Sequence, residues 1–407
     1  TFDHSWRLLT QREREVFQEL SVFRGGFTRE AATAVAGASL CELRSLVNKS
    51  LLQAGTSARF ETHELLRQYA EQKLNSAEDS GDNVRTRHCN FFARAVESWG
   101  NDLKGVRQQN ALDQMRADRE NAQAAWEWAL RNQNPARLKQ MVEGLGIFFW
   151  RCTTSFEGEY CTGLAARALA DPENRRRFSG TQDVSDVLRL QAQILSWQGW
   201  FCTFLGRLDG AEAIFTHAQA LLEGRVLASA DTRAEKAHTW LGLAALANQN
   251  GDSDKLSRFA EQSVALFRAI GDEWWMSFAV MGVAIAARDF RDYKKAHRLA
   301  AKCLAIRRKL GDQWGTATVL ATMAMIAADL GELDESERLL REAIEVQDLS
   351  GFRGADSGQA HLGLGQTLGL LGRFSEAHAS FREAWTRFET TGGFFADVVW
   401  SELLLGW

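Results

Sequence analysis

Gly271-Asp272-Glu273-Trp274, Gly311-Asp312-Gln313-Trp314, Ser350-Gly351-Phe352 and Gly392-Gly393-Phe394 align on glycines at 271, 311, 351 and 392, in steps of 40, 40 and 41 residues. A second series lies midway: Leu205-Gly206-Arg207, Asn250-Gly251-Asp252, Phe290-Arg291-Asp292, Leu330-Gly331-Glu332 and Leu371-Gly372-Arg373. Two helix breakers per period, each followed by a periodic apolar stretch, describe a helix–turn–helix unit repeated in tandem. Glycine ends one helix in a left-handed turn and aspartate caps the next.

The helix faces agree. In the second helix of each unit the sets Ala211/Phe215/Ala218, Ala296/Ala300/Cys303, Ser336/Leu340/Ala343 and Ala377/Phe381/Ala384 form an i, i+4, i+7 stripe. Gly199, Ala284, Ala324 or Gly365 stands 12 residues before each leading member, a small residue where two helices approach closely. The pattern resembles the tetratricopeptide repeat in a long form of about 40 residues. The aromatics after each turn, Trp274, Trp314, Phe352 and Phe394, read as plugs in the seams between repeats, which every solenoid must bury.

Recognition on such a scaffold belongs to the face made by the first helices. With Gly199, Ala244, Ala284, Ala324 and Gly365 set equivalent, its inward positions include Trp200, Asn248, Gln249, Arg288, Asp289 and Asp329. Gln193, His238 and Gln359 lie a turn or two earlier on the same faces. Irregular polar groups on a regular frame suit an inducer ligand or a protein partner in the repeat groove. The blander reading is a solvated groove.

Residues 1–75 follow another pattern. Thr10-Gln11-Arg12-Glu13 is a capping box opening a helix through Val16, Phe17 and Leu20. Thr28 caps a short helix to about Ala36, and Ser39-Leu40-Cys41-Glu42 opens a third. Leu51–Ala54 and Arg59–Thr62 read as a β-hairpin, followed by a helix from His63. Three helices and a two-stranded wing predict a winged-helix domain. Its third helix carries Arg44, Asn48 and Lys49, yet residues 1–75 hold ten Lys/Arg against nine Asp/Glu, little positive excess for gripping phosphates. DNA contact by this fragment is therefore not expected.

Composition sets the outer limits. The 407 residues carry 48 basic and 52 acidic side chains, a net charge of −4, which excludes a generally basic nucleic-acid coat protein. Only 2 Pro fit helices joined by glycine turns, whereas 14 Trp need large burial surfaces or flat partners. No apolar run of membrane-spanning length, CxxC pair, phosphate loop or catalytic constellation is found, so no enzyme, metal site or membrane association is expected. The six cysteines read as buried thiols of a cytoplasmic protein.

Three strings carry a resemblance. Ser5-Trp6-Arg7-Leu8-Leu9-Thr10 with Ser21-Val22-Phe23-Arg24-Gly25-Gly26-Phe27 looks like the winged helix that follows the NB-ARC ATPase in bacterial STAND proteins. Phe60-Glu61-Thr62-His63-Glu64-Leu65-Leu66-Arg67-Gln68-Tyr69-Ala70 is similar to the end of that domain. Asp118-Arg119-Glu120-Asn121-Ala122-Gln123-Ala124-Ala125-Trp126 resembles the E-x-x-N-x-x-A-A-W motif of the helical region before the repeats. With the long repeats the likeness spans nearly the whole chain, in the manner of MalT-like and LuxR-type regulators. It implies an all-α chain: a winged helix at 1–76, degenerate helical repeats at 77–185, and a right-handed α-solenoid of about five tetratricopeptide repeats at 186–407.

The resemblance further implies an ATPase module upstream, holding ADP or ATP with Mg²⁺, as this chain's own partner, and it allows oligomerisation on activation. His63 takes the place of the Met-His-Asp histidine that contacts the β-phosphate of ADP; Thr62 and Glu64 depart from that motif. The abrupt start at Thr1 and the apolar end Leu403-Leu404-Leu405-Gly406-Trp407 fit part of a longer protein. The expected function is a sensor and regulatory fragment of a STAND ATPase. A DNA-binding transcription regulator and a passive protein scaffold stand as alternatives.

Overall fold

The computed structural model describes residues 6–55, 58–76, 80–152, 154–179, 183–349 and 355–389. The turns at 350–354 and 392–394, with Phe352 and Phe394, and the apolar segment 403–407 lie outside the described residues, as do the chain's first five. The fold is all-α with one small sheet, and the chain divides into two compact units. Unit 1 comprises residues 1–101 and 110–144; unit 2 comprises 102–109 and 145–407. The sequence reading places its boundaries at 76 and 185 instead.

Unit 1 opens with α1 (Gln11–Leu20), β1 (Phe27–Thr28), α2 (Arg29–Ala36), α3 (Leu40–Asn48), β2 (Gln53–Ala54), β3 (Arg59–Glu61) and α4 (Glu64–Asn75). Thr10 and Ser39 both close full capping boxes, with Glu13 and Glu42. The sheet has the order β1-β3-β2, antiparallel throughout, with Phe27 opposite Phe60 and Ala54 opposite Phe60. Strand β1 is too short to leave a periodic signal in the sequence. The core of this part is Val16, Phe17, Leu20, Phe23, Leu43 and Leu46. Glu13, buried beneath it, is raised by burial but held down to about 2 by hydrogen bonds from Lys49, Ser45 and Thr10.

The rest of unit 1 is α5 (Ser80–Asp102), α6 (Gln108–Ala117), α7 (Arg119–Arg131) and the start of α8 (Pro135–Arg151). Helix α7 explains the E-x-x-N string. Asn121 donates to the Gly26 carbonyl (2.9 Å) and accepts from the Arg24 N–H (2.7 Å), while Arg59 makes a two-pronged pair with Asp118 (2.7 and 2.9 Å). The Gly25-Gly26 turn, at φ +68 and +92, places those backbone groups where Asn121 reaches them. The motif is a dock for the preceding helices and sheet.

Unit 2 continues through α9 (Ser155–Ala170), α10 (Pro172–Ser179), α11 (Val184–Phe204), α12 (Leu208–Leu222), α13 (Arg233–Gln249), α14 (Ser253–Ile270), α15 (Glu273–Asp289), α16 (Tyr293–Leu310), α17 (Gln313–Asp329), α18 (Leu333–Leu349), α19 (Ala355–Leu370) and α20 (Phe374–Glu389). From α11 onward they form antiparallel pairs, each packed on the next. Asp252, Asp272, Asp292 and Asp312 each cap the following helix through its third N–H. Small residues set the helix spacing: a Cβ on Gly242 would stand 2.3 Å from Phe215, and one on Gly365 2.5 Å from Phe381. The seam is polar as well as apolar, since Ser263 Oγ donates to the Ala237 carbonyl (2.9 Å) and Cys303 Sγ, one period on, to that of Ser277 (3.3 Å).

Among the described residues no helix is long and apolar enough to cross a membrane, and no group of His, Cys, Asp or Glu could hold a metal ion. Cys89, Cys202 and Cys303 are buried, and burial pushes the thiols of Cys89 and Cys303 up to about 11 and about 12. Cys152 and Cys161 are half-buried, and Cys41, on the solvent side of α3 beyond the capping Ser39, is exposed; these three depart from the expectation of buried thiols.

Candidate functional site

The first helices of successive pairs gather a cavity inside unit 2. Gln193, Ser196, Trp197 and Trp200 reach it from α11, His238 and Leu241 from α13, and Trp275 from α15. Positions 193, 196, 197 and 200 share one face of α11 by the 3.6-residue period, and the repeat brings the equivalent faces of α13 and α15 alongside. The sequence reading named Gln193, Trp200 and His238. It missed Trp197 and Trp275, which look like core aromatics until α8 is placed across them.

The cavity has room for about one water molecule (about 10 Å³). Its walls are aromatic. Trp197 and Trp200 meet edge to face at 6.4 Å, Trp197 and Trp275 at 5.9 Å, and His238 stands edge-on to Trp275 at 4.7 Å. Its lining includes no carboxylate, lysine or arginine. Ser196 Oγ is committed to Thr239 Oγ1 at 2.8 Å. Trp200 is 8% exposed, and its buried Nε1–H has no hydrogen-bond partner among the described residues. An indole N–H without an acceptor in an apolar wall is costly, and a single water in this cavity would relieve it.

Trp150, near the end of α8, joins this cavity to a second cluster. Its ring is parallel to Trp275 at 6.2 Å and edge-on to Trp200 and Trp314 at 5.4 and 4.8 Å. Beyond it, two buried guanidinium groups share one buried carboxylate. Arg307 Nη1 donates to Asp312 Oδ2 at 2.6 Å and Arg151 Nη2 to Asp312 Oδ1 at 3.3 Å. Trp274 Nε1 also donates to Asp312 Oδ2, at 2.8 Å. Both guanidiniums also lie on aromatic faces, Arg151 over Trp314 at 4.7 Å and Arg307 over Phe278 at 3.6 Å. Burial pulls the Arg307 pKa down, and Asp312 opposes it. Trp274 and Trp314, read as seam plugs, are indeed buried, but they frame an ionic cluster as well as an apolar seam.

The other residues singled out in the sequence stand apart from the cavity. Arg288 and Asp329 pair with each other through two hydrogen bonds, at 2.5 and 3.2 Å, tying α15 to α17. Asp289 accepts from Ser253 Oγ at 2.7 Å. Asn248, Gln249 and Gln359 are exposed on their helices. His63 is the exposed N-cap of α4: its Nδ1 accepts the Leu65 N–H at 3.3 Å, which leaves Nε2 as the outward-facing donor.

A tetratricopeptide-repeat family profile matches residues 315–390. Curated relatives in Mycobacterium tuberculosis (strain ATCC 25618 / H37Rv) and Mycobacterium bovis (strain ATCC BAA-935 / AF2122/97), provisionally classed as HTH-type transcriptional regulators, are each 28% identical over 225 residues. Those matches cover 48% of this chain and 25% of the relatives, so about a quarter of their length is represented here. The crystal structure of a STAND protein (Signal Transduction ATPase with Numerous Domains) with a tetratricopeptide repeat sensor, from Pyrococcus horikoshii, aligns with a TM-score of 0.60 at 15% identity. It covers 96% of this chain and 52% of that one, a likeness of fold.

Proposed function

We propose that this chain is the sensor and regulatory part of a STAND-type signal-transduction ATPase. The observation that carries the reading is the convergence of Gln193 and Trp200 from α11, His238 from α13 and Trp275 from α15 on one aromatic cavity with an unpaired indole N–H. The fold likeness to a STAND protein over nearly all of this chain supports the same order of parts. An inducer or partner binding at the first helices would shift the protein between states only through unequal affinity for them.

In this reading residues 1–76 are a winged helix that contacts an upstream nucleotide-binding module, where ADP or ATP with Mg²⁺ would sit. His63 is suited to a phosphate oxygen: it caps a helix start and turns its Nε2–H outward. His63→Ala in the full-length protein is expected to weaken ADP binding at least tenfold by equilibrium titration. Unchanged ADP affinity and unchanged basal turnover would remove the relay from the account.

The class of the mycobacterial relatives favours a second reading, operator binding by α3. Lys49 opposes it, since its ammonium is spent on Glu13 at 2.7 and 2.8 Å and is not turned toward a phosphate. Binding of duplex DNA by this chain that weakens steeply with added salt would restore that reading.

A further inference from the structure

An open cleft of about 650 Å³ lies in unit 2 between the second helices α18 and α20, with His361 and Leu364 reaching it from α19. The repeat shows why there is space here. With Gly199, Ala244, Ala284, Ala324 and Gly365 equivalent, the position four residues earlier holds Leu195, Trp240, Val280 and Leu320, and then His361. With Ala211, Leu256, Ala296, Ser336 and Ala377 equivalent, the position three residues later holds Ile214, Phe259, Leu299 and Leu339, and then Ser380. The two positions meet across a helix pair, as the rings of Trp240 and Phe259 show by stacking at 5.5 Å. In the α19–α20 pair that apolar contact is reduced to an imidazole and a hydroxyl, both of which line the cleft.

The exchange is unfavourable for the fold alone. His361 Nε2 is buried and has no hydrogen-bond partner among the described residues. Burial, together with the Arg387 guanidinium, holds the imidazole down to about 4, so it is uncharged at neutral pH. A leucine at either position would suit the repeat better, and departures that cost stability gather at functional positions.

The charges around the cleft select what can enter. Glu345, Asp348 and Glu383 face it, against one guanidinium, Arg341. Arg341 is already paired with Glu337 at 2.8 Å and stands 3.6 Å from Glu376. Arg387 serves both Glu383 at 2.9 Å and Asp348 at 3.3 Å, one cation for two carboxylates. Glu345 has no ion-pair partner among the described residues. Between these groups the walls are apolar, formed by Ile344, Leu364 and Ala379.

We propose that the cleft binds a small organic amine. Its apolar body takes the place that Leu339 fills one repeat earlier, and its ammonium reaches Glu345 and the Asp348–Glu383 side. The volume falls within the range of about 300–1,000 Å³ typical of small-molecule pockets, and an anionic ligand would meet three carboxylates. The site belongs to the second helices, so its success or failure leaves the first-helix sensor reading untouched.

Isothermal titration calorimetry of the whole chain with phenylbutylamine tests this, beside the neutral phenylbutanol and the anionic phenylbutyrate. The amine is expected to bind about tenfold more tightly than the alcohol, and the acid not to bind. Ser380→Leu, which restores the residue type of the four preceding repeats, is expected to abolish amine binding while the thermal midpoint stays the same or rises. Glu345→Gln, at an exposed position, is expected to weaken the amine about threefold and leave the alcohol unchanged. No amine binding, equal binding of amine and alcohol, or full amine binding by Ser380→Leu overturns the proposal. Should Ser380→Leu fail to fold by circular dichroism, Glu345→Gln decides, and undiminished amine binding by that variant overturns it.

Discussion

Asn121 uses every polar atom of its side chain. Its Oδ1 takes the Arg24 N–H and faces His88 Nε2 at 3.3 Å, while its Nδ2 serves the Gly26 carbonyl and Asp118 Oδ1 at 2.9 Å each. Oδ1 can only accept, so His88 carries a proton on Nε2. Burial holds the His88 pKa down to about 4. A histidine depressed from 6.5 contributes stability that is complete above pH 6.5 and lost as pH falls toward 4, since the unfolded chain takes up the proton first. The shift corresponds to roughly 3 kcal/mol. We expect urea unfolding of unit 1 to weaken by about 2–3 kcal/mol between pH 6.5 and 4. His88→Gln should flatten that slope, and an unchanged slope would contradict the assignment. The string around Asn121 was visible in the sequence; its docking onto Gly25-Gly26 was not, because nothing in one sequence pairs residues 95 positions apart.

At the scale of elements, the repeat was legible because each pair restates the same breakers and small-residue stripe. The turns also contain a natural control. Gly206, Gly251, Gly331 and Gly372 adopt positive φ between helices, and Arg291 occupies the equivalent turn at φ +62. An L-residue with a Cβ pays about 1 kcal/mol for that backbone. Arg291→Gly should therefore stabilise the solenoid by about 0.5–1 kcal/mol despite glycine's larger unfolded-state entropy, read as a rise in thermal midpoint. A fall would mean that the Arg291 side chain contributes more than its backbone costs. Strand β1 and the end of α8 escaped the sequence reading for one reason: each is short and aperiodic, and each is defined by what it touches.

For the chain as a whole, the surplus of tryptophan has a physical explanation. Trp150, Trp197, Trp200, Trp274, Trp275 and Trp314 belong to one connected set of ring contacts within unit 2. These rings bury the large surface that first helices would otherwise leave open, and they provide flat, polarisable walls. Periodicity placed Gln193, Trp200 and His238 on faces that line one cavity. It also proposed Arg288 and Asp329, which neutralise each other, because spacing reports a shared face and not a shared hydrogen bond.

The central claim, that the first-helix cavity senses a ligand on behalf of a nucleotide-binding module, meets its most direct test in ATP turnover by the full-length protein. Turnover is to be measured with and without a metabolite and peptide extract of the source cells, for the unmutated protein, Trp200→Ala, His238→Ala and the remote control Arg291→Gly. The account predicts that extract stimulates the unmutated and Arg291→Gly proteins at least fivefold, and that both cavity variants, folded by circular dichroism, lose the stimulation. Equal stimulation of all four proteins, or none of any, would contradict it.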